Sequence, residues 1–194
     1  GQSFGSHIGL ELTAVNRAKP RAHWHLGVWV TEDAGIFKQI LIYGRPSPIA
    51  GTPDNETQAA LSWTVAPRAP KLVEEVRGYW NTPSMAEKMA PNAHFQDRAQ
   101  GIDRFGPDAY RALQATYKKR FPSGKCRLDQ ITANQEGDVW LRSTCGGVYL
   151  GDIGKKGHRI EVKVLDVVRI DENEIETLRS YSNPEYVAEK LQLR

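Results

Sequence analysis

Two alternating runs near the carboxyl end constrain this chain more than any other feature. Arg159–Arg169 and Ile175–Tyr181 are rich in β-branched residues and alternate apolar with charged or polar positions over much of their length. They predict a hairpin with Asn173 at its tip, where the chain needs a residue that tolerates positive φ. The helices and strands upstream are then expected to fold over one face of that hairpin.

The segments before it support this layout. Leu72, Val73, Val76 and Trp80 recur at helical spacing from Lys71, and Asn81–Pro83 ends that run. A short second helix is predicted over Ser84–Met89, and Ala90–Asp97 reads as a turn leading into a short strand. Gly106-Pro107-Asp108 opens a third helix, with proline in its first turn and an acid that complements the helix dipole. Tyr110, Leu113, Tyr117 and Phe121 form its buried stripe, and Phe121–Gly124 stops it. Strands over Lys125–Ala133, Asp138–Leu150, Arg159–Ile170 and Ile175–Ser182 follow, then a helix from Pro184 to Leu193. Gly146-Gly147 inside the second strand reads as a bulge or sharp bend. Helices first and a meander of long strands after is an α+β layout, with helices segregated to one face of a curved antiparallel sheet.

Residues 1–68 read as a separate extension. The first twenty or so lack periodicity and suggest an arm. Ala22–Val30 and Ile36–Tyr43 suggest a β-hairpin. Gly44–Pro70 holds five prolines and reads as a loop interrupted by the apolar patch Ala60–Trp63. The chain begins Gly-Gln-Ser-Phe-Gly rather than with Met, which fits a processed or trimmed terminus; Gly5 stands where myristoylation expects Ser or Thr.

With 40% hydrophobic residues in 194, the chain can bury a real core. Its formal charge is +3, and the basic residues cluster only at Tyr117–Arg120 and Gly154–Arg159, which read as solvated surface rather than a nucleic-acid footprint. No apolar run approaches the roughly 18 residues a membrane span needs. The balance favours a soluble protein, cytoplasmic rather than exported. The five histidines are spread without metal-ligand spacing, and no glycine-rich phosphate loop follows a strand, so neither metal nor cofactor is expected. If residues 134–137 form the turn between the first two strands of the meander, Cys126 and Cys145 face each other across the ladder. A bridge there is confined to a non-hydrogen-bonded pair, and two reduced, packed thiols are the expectation.

The order of motifs resembles the SnoaL-like polyketide cyclases of the nuclear-transport-factor-2-like superfamily. The matching residues are Ala90-Pro-Asn and Asp97; Gly106-Pro-Asp-Ala-Tyr and its helix with Phe121-Pro; Gly137-Asp-Val-Trp-Leu-Arg142; Arg169-Ile with Ile175; and Leu191-Gln-Leu193. The resemblance covers about residues 69–194 and leaves 1–68 outside. It implies a cone-shaped α+β barrel whose interior is a pocket for a small cyclic or polyketide-like ligand, and a homodimer. It also implies cofactor-independent cyclisation, isomerisation or epoxide opening. The catalytic acid of the cyclases would fall at the position of Ser180, and a pocket histidine at that of Asp166. Phe95-Gln96 also departs from the Asn-His that many members carry.

With Ser180 and Asp166 turned inward, period two also brings Val162, Val164, Val168 and Leu178 inward and points Glu161, Lys163 and Arg169 out. Asp166 is then a carboxylate among valines, where desolvation favours a raised pKa and proton transfer near neutral pH. The alternatives are a structural pair with Arg142, Arg179 or a tyrosine hydroxyl, or a bulge that turns it outward. His94 and Asp97 are candidate proton-shuttling partners at the cavity mouth, or plain surface turn residues. Tyr79, Trp80 and Tyr181 are candidate pocket walls, or plain core, while Arg142 and Ser180 could hold a substrate oxygen. A non-catalytic ligand-binding or assembly module of the same fold is the reading against which the enzyme is weighed.

Overall fold

The computed structural model describes residues 2–3, 7–16, 19–33, 36–43, 64–65, 69–97 and 100–192, the segments up to residue 65 by backbone pairing alone. Five strands come first: β1 (Gln2–Ser3), β2 (His7–Asn16), β3 (Lys19–Asp33), β4 (Ile36–Tyr43) and β5 (Thr64–Val65). They form one sheet in the order β4-β3-β2-β1-β5. The expected hairpin of residues 22–43 is the β3–β4 pair, in which Val28 faces Ile42 and Val30 faces Ile40. The stretch read as an arm is instead mostly strand: His7–Asn16 pairs antiparallel with β3 along almost its whole length. Ile8, Leu10, Leu12 and Ala14 alternate with Gly9, Glu11 and Thr13, so the period-two signal was present in the sequence and was overlooked. The apolar patch at 60–63 and most of the proline-rich loop lie outside the described residues.

The remaining elements are α1 (Pro70–Tyr79), α2 (Ser84–Glu87), β6 (Met89–Asp97), β7 (Ile102–Phe105), α3 (Gly106–Arg120), β8 (Lys125–Ala133), β9 (Asp138–Val148), β10 (Arg159–Asp171), β11 (Glu174–Ser182) and α4 (Pro184–Lys190). The strands make an open six-stranded sheet in the order β7-β6-β11-β10-β9-β8. Every neighbouring pair is antiparallel except β6 with β11, so the sheet is mixed. This is the α+β cone architecture expected, with helices on the concave side.

Local chemistry explains the boundaries. Pro70 opens α1, and Asn81, at φ 56, turns the chain out of it after the Trp80 amide has bonded to the Val76 carbonyl. The β10–β11 turn has φ 46 at Glu172 and φ 68 at Asn173, the two positive values a tight primed turn requires. Gly137 (φ 91) closes the β8–β9 turn against β10, where a Cβ would stand 2.0 Å from the Ile170 carbonyl oxygen. Gly146 and Gly147 do not make the expected bulge. Their pairing with β10 runs unshifted, and they serve close approach instead, since a Cβ on Gly147 would lie 2.8 Å from the Gly124 backbone. The register shift in this part of the sheet is on β8, between Leu128 and Gln130.

The main core lies between α1, α2, α3 and the concave face. Val76, Val139, Leu141, Val168 and Ile175 are wholly buried there, each burial worth roughly 1.5–3 kcal/mol. The convex face carries a second cluster, Trp140, Leu165, Val167 and Tyr181, also buried. Cys126 and Cys145 do face each other, and they form a disulfide rather than two thiols, with Cα atoms 4.0 Å apart. That spacing belongs to the narrow, non-hydrogen-bonded type of cross-strand pair, the one geometry in which a bridge was allowed.

Candidate functional site

Period two along β10 decides what faces the interior. Asp166 pairs with Leu141 on β9 and Ser180 on β11, Val164 with Ser143 and Ser182, Val162 with Cys145. Cross-strand partners share a face. Ile160, Val162, Val164 and Asp166 therefore line one wall of a cavity of about 740 Å3, whose other walls come from β6, β11, α3, α4 and the segment after α1.

Asp166 sits at the deep end. The Trp80 indole donates from Nε1 to its Oδ2 at 3.2 Å, and the Ser180 hydroxyl donates a second hydrogen bond. The residue is partly accessible from the cavity and otherwise enclosed by the protein. Desolvation lifts its pKa to about 6; the Ser180 and Trp80 donors oppose the rise, and the nearby Asp97 charge adds to it. No cation among the described residues pairs with it. Arg142 and Arg179, the expected structural partners, face Leu165 and Val167 across the ladder and so belong to the convex side.

Asp97 is the second buried carboxylate of the cavity. It lies beside Ser180 in the parallel β6–β11 pair. It accepts from the Gln100 backbone amide at 3.0 Å, the Gln100 side-chain amide at 2.8 Å and the Tyr117 hydroxyl at 2.9 Å. Tyr117 also meets the Gln100 amide. Burial first, then the Asp97 charge, holds the Tyr117 phenol above the usual tyrosine range. Tyr110 is raised in the same way, by burial and then by the Asp166 charge. Its hydroxyl donates to the Met85 thioether at 3.2 Å and accepts from the Gln114 amide at 2.8 Å. The deep end thus combines two carboxylates with two phenols held neutral.

The structure brings Asp166, Asp97, Trp80 and Ser180 together at the cavity. The other candidate residues lie elsewhere. His94 alternates with Phe95 on β6 and faces away from the cavity, its Nε2 2.6 Å from Asp103 Oδ1 and its ring stacked on Phe105. Gln96 grips the same carboxylate at 2.9 Å. Tyr79 is core, packed with α1 and α2, and Glu75 adds to the effect of burial in raising its pKa. Tyr181 follows Ser180 in the strand and necessarily faces the other way, into the convex cluster; Arg142 shares that side through its pairing with Leu165. Sequence reasoning missed Tyr110, Gln114 and Tyr117 as site residues. The signal was present, since positions 110, 114 and 117 put three polar tips on one helical face. Among the described residues no group of three His, Cys, Asp or Glu is placed to hold a metal ion, and no helix is long and apolar enough to cross a membrane.

No family model and no curated protein sequence matches the chain. Solved structures do. A protein assigned to the SnoaL-like polyketide cyclases from Jannaschia sp. CCS1 superposes with a TM-score of 0.56 at 15% identity, over 69% of this chain and 99% of that one. A nuclear-transport-factor-2-like protein from Burkholderia thailandensis gives 0.54 at 18% identity, over 63% and 95%. A limonene-epoxide-hydrolase-like epoxide hydrolase from Mycobacterium tuberculosis gives 0.50 at 13%, over 64% and 91%. These likenesses establish a fold shared with SnoaL-like and nuclear-transport-factor-2-like proteins, in agreement with the motif order. Several proteins of this fold carry names of catalysts, among them the cyclase and the epoxide hydrolase.

Proposed function

We propose that the chain is a cofactor-independent enzyme acting on a small cyclic or polyketide-like ligand, with Asp166 as the acid/base of a cyclisation, isomerisation or epoxide opening. The observation that carries this reading is Asp166 itself, a carboxylate at the end of a largely apolar cavity, held by two neutral donors and titrating near pH 6. At neutral pH most of it is ionised and basic enough to take a proton from carbon next to a carbonyl. Tyr110 is a neutral phenol beside it, and its weak bond to the Met85 sulfur can be exchanged for one to a developing oxyanion. Ser180 and Trp80 fix the carboxylate; Asp97, gripped by Tyr117 and Gln100, sets the local charge that keeps the Asp166 proton affinity high.

The test follows proton transfer directly. Exchange of the α-protons of 2-tetralone in D2O, followed by NMR, should be accelerated by the protein along a limb centred near pH 6. Asp166→Asn should remove about 10²–10⁴ of the acceleration. Equal rates with the Asn variant would sink the assignment of Asp166. The second reading, a non-catalytic binding module, is favoured by Ser180 standing where the resemblance expects an acid. It gains if the protein binds the ketone but leaves its exchange rate at the solvent value.

A further inference from the structure

The convex face of the cone is buried where an open sheet would leave it in water. Leu165 and Val167 on β10 pair across the ladder with Tyr181 on β11 and Trp140 on β9, and all four are at most 3% exposed in the single chain. Buried Thr132, opposite Trp140, extends the patch to β8. The burial is local. On the same face of β10 the side chains of Lys163 and Arg169, two residues before and after the pair, are 59% and 40% exposed. Something therefore covers the middle of this face and stops short of both ends. It is not a helix of residues 69–192: α1, α2 and α3 contribute to the main core on the concave side, and Val187 of α4 packs with Tyr149 and Ile160.

The amino-terminal sheet has the complementary surface, and its edge strand β4 lies against β10. In the register of β2, β3 and β4, Ile8, Val30 and Ile40 form one cross-strand row and Leu10, Val28 and Ile42 the next; Leu12 stands opposite Leu26, and Ala14 opposite Trp24. These rows belong to one face of the sheet. The alternate rows include Glu11, Thr13, His25, Thr31 and Gln39. An apolar sheet face of this extent needs a partner, and two such faces stack about 10 Å apart. We propose that the apolar face of β2–β4 docks on the convex patch of its own chain, so that the amino-terminal sheet is a built-in cover and a second copy finds this face occupied. The homodimer implied by the resemblance then requires another surface. Leu165 and Val167 are the chain neighbours of Asp166, so the cover also braces from behind the stretch of β10 that carries the carboxylate. The docking stands or falls independently of the Asp166 chemistry.

The test is paramagnetic broadening of NMR signals in the full chain. A nitroxide is attached to Lys38→Cys, at the β3–β4 bulge, and in a second sample to Gln39→Cys, opposite Thr31. With Cys126 and Cys145 bridged, the introduced thiol takes the label. The amide signals of Leu165 and Val167 should broaden severalfold relative to the same sample with the nitroxide reduced, and more than that of Leu113 on α3 across the sheet. In a mixture of nitroxide-bearing chain without isotope enrichment and isotope-enriched chain without nitroxide, the broadening should disappear. Broadening that persists in the mixture makes the face an interface between copies and overturns the proposal. Absence of broadening at Leu165 and Val167 in both labelled samples overturns it as well. Should one label disturb folding, seen as lost signal dispersion, the other position carries the test. The Asp166 reading fails separately: ketone exchange indifferent to Asp166→Asn, with same-chain broadening intact, would remove the acid/base and leave the cover.

Discussion

Replacing Asp166 by Asn should change how stability depends on pH, more than it changes stability at any single pH. An ordinary aspartate titrates at 3.8, and in the folded chain this one titrates at about 6. A raised carboxyl pKa means that folding favours the protonated form. The stabilisation is complete below pH 4 and is lost as the pH rises through 6. An interval of about two pH units at ~1.4 kcal/mol each makes the loss ~3 kcal/mol by pH 7.5. Asparagine retains an oxygen to accept from Ser180 and Trp80 and has no charge to desolvate. Its unpaired amide protons shift the melting temperature by an amount that does not vary with pH. The difference in melting temperature, variant minus native, should therefore grow by about 6–12 °C between pH 4 and 7.5 for a chain of this size. Scanning calorimetry at half-unit steps reads it directly. A difference that stays flat, or shrinks as pH rises, would refute the buried, uncompensated carboxylate and with it the proposed acid/base.

Two further outcomes test the frame around the site. Gly137→Ala places a Cβ 2.0 Å from the Ile170 carbonyl at φ 91 and should destabilise by more than about 2 kcal/mol in urea unfolding. Gly157→Ala, at φ 80 with nothing within 4 Å, should lose only about 1 kcal/mol; equal losses at the two sites would show that the contact with β10 is immaterial. The Cys126–Cys145 bridge closes a loop across 19 positions, so reductant should lower stability by about 3 kcal/mol. Two titratable thiols in the unreduced native protein would refute the bridge.

The hairpin at the carboxyl end was legible because its information is local. Alternation marked β10 and β11 as strands, a residue suited to positive φ stood at the tip, and once the resemblance had set Asp166 and Ser180 inward, period two turned three valines inward with them. The same rule places Tyr181 opposite its neighbour Ser180, so counting an adjacent aromatic as pocket wall contradicted the periodicity already in use. The convex cluster was less visible. Leu165 and Val167 stand in the outward phase with Glu161 and Lys163, and a strand covered on both faces near one end but solvated at the other has no single alternation. His94 was misplaced because Ala90–Asp97 read as a turn leading into a short strand rather than as strand β6, whose local hairpin with β7 brings Asp103 and Phe105 against His94 on the outer side. The disulfide depended on which kind of cross-strand pair the register produced, and register comes from the bulge at Leu128–Gln130 that sequence patterning did not reveal.

Ser180 is the position that most weakened a catalytic reading of the sequence, and the structure changes what it means. In register, Ser180 and Asp166 are direct partners on adjacent antiparallel strands, with side chains on the same face. Such partners have Cβ atoms about 5 Å apart, so a carboxyl on either strand can serve much the same point in the cavity. The acid that the resemblance places on β11 is absent, yet a carboxylate stands one strand over, where the resemblance places a histidine. Ser180 then supplies the hydrogen bond that fixes it. The carboxylate stands on β10 and a serine on β11, so under the proposed function, with no imidazole there, the proton would come and go from the carboxylate itself. A pKa near 6 suits such proton transfer, because an aspartate left at 3.8 would be a weaker base at neutral pH by about a hundredfold in equilibrium proton affinity. Burial among valines and the nearby Asp97 charge, neither of which a structural role at this position requires, are what raise it.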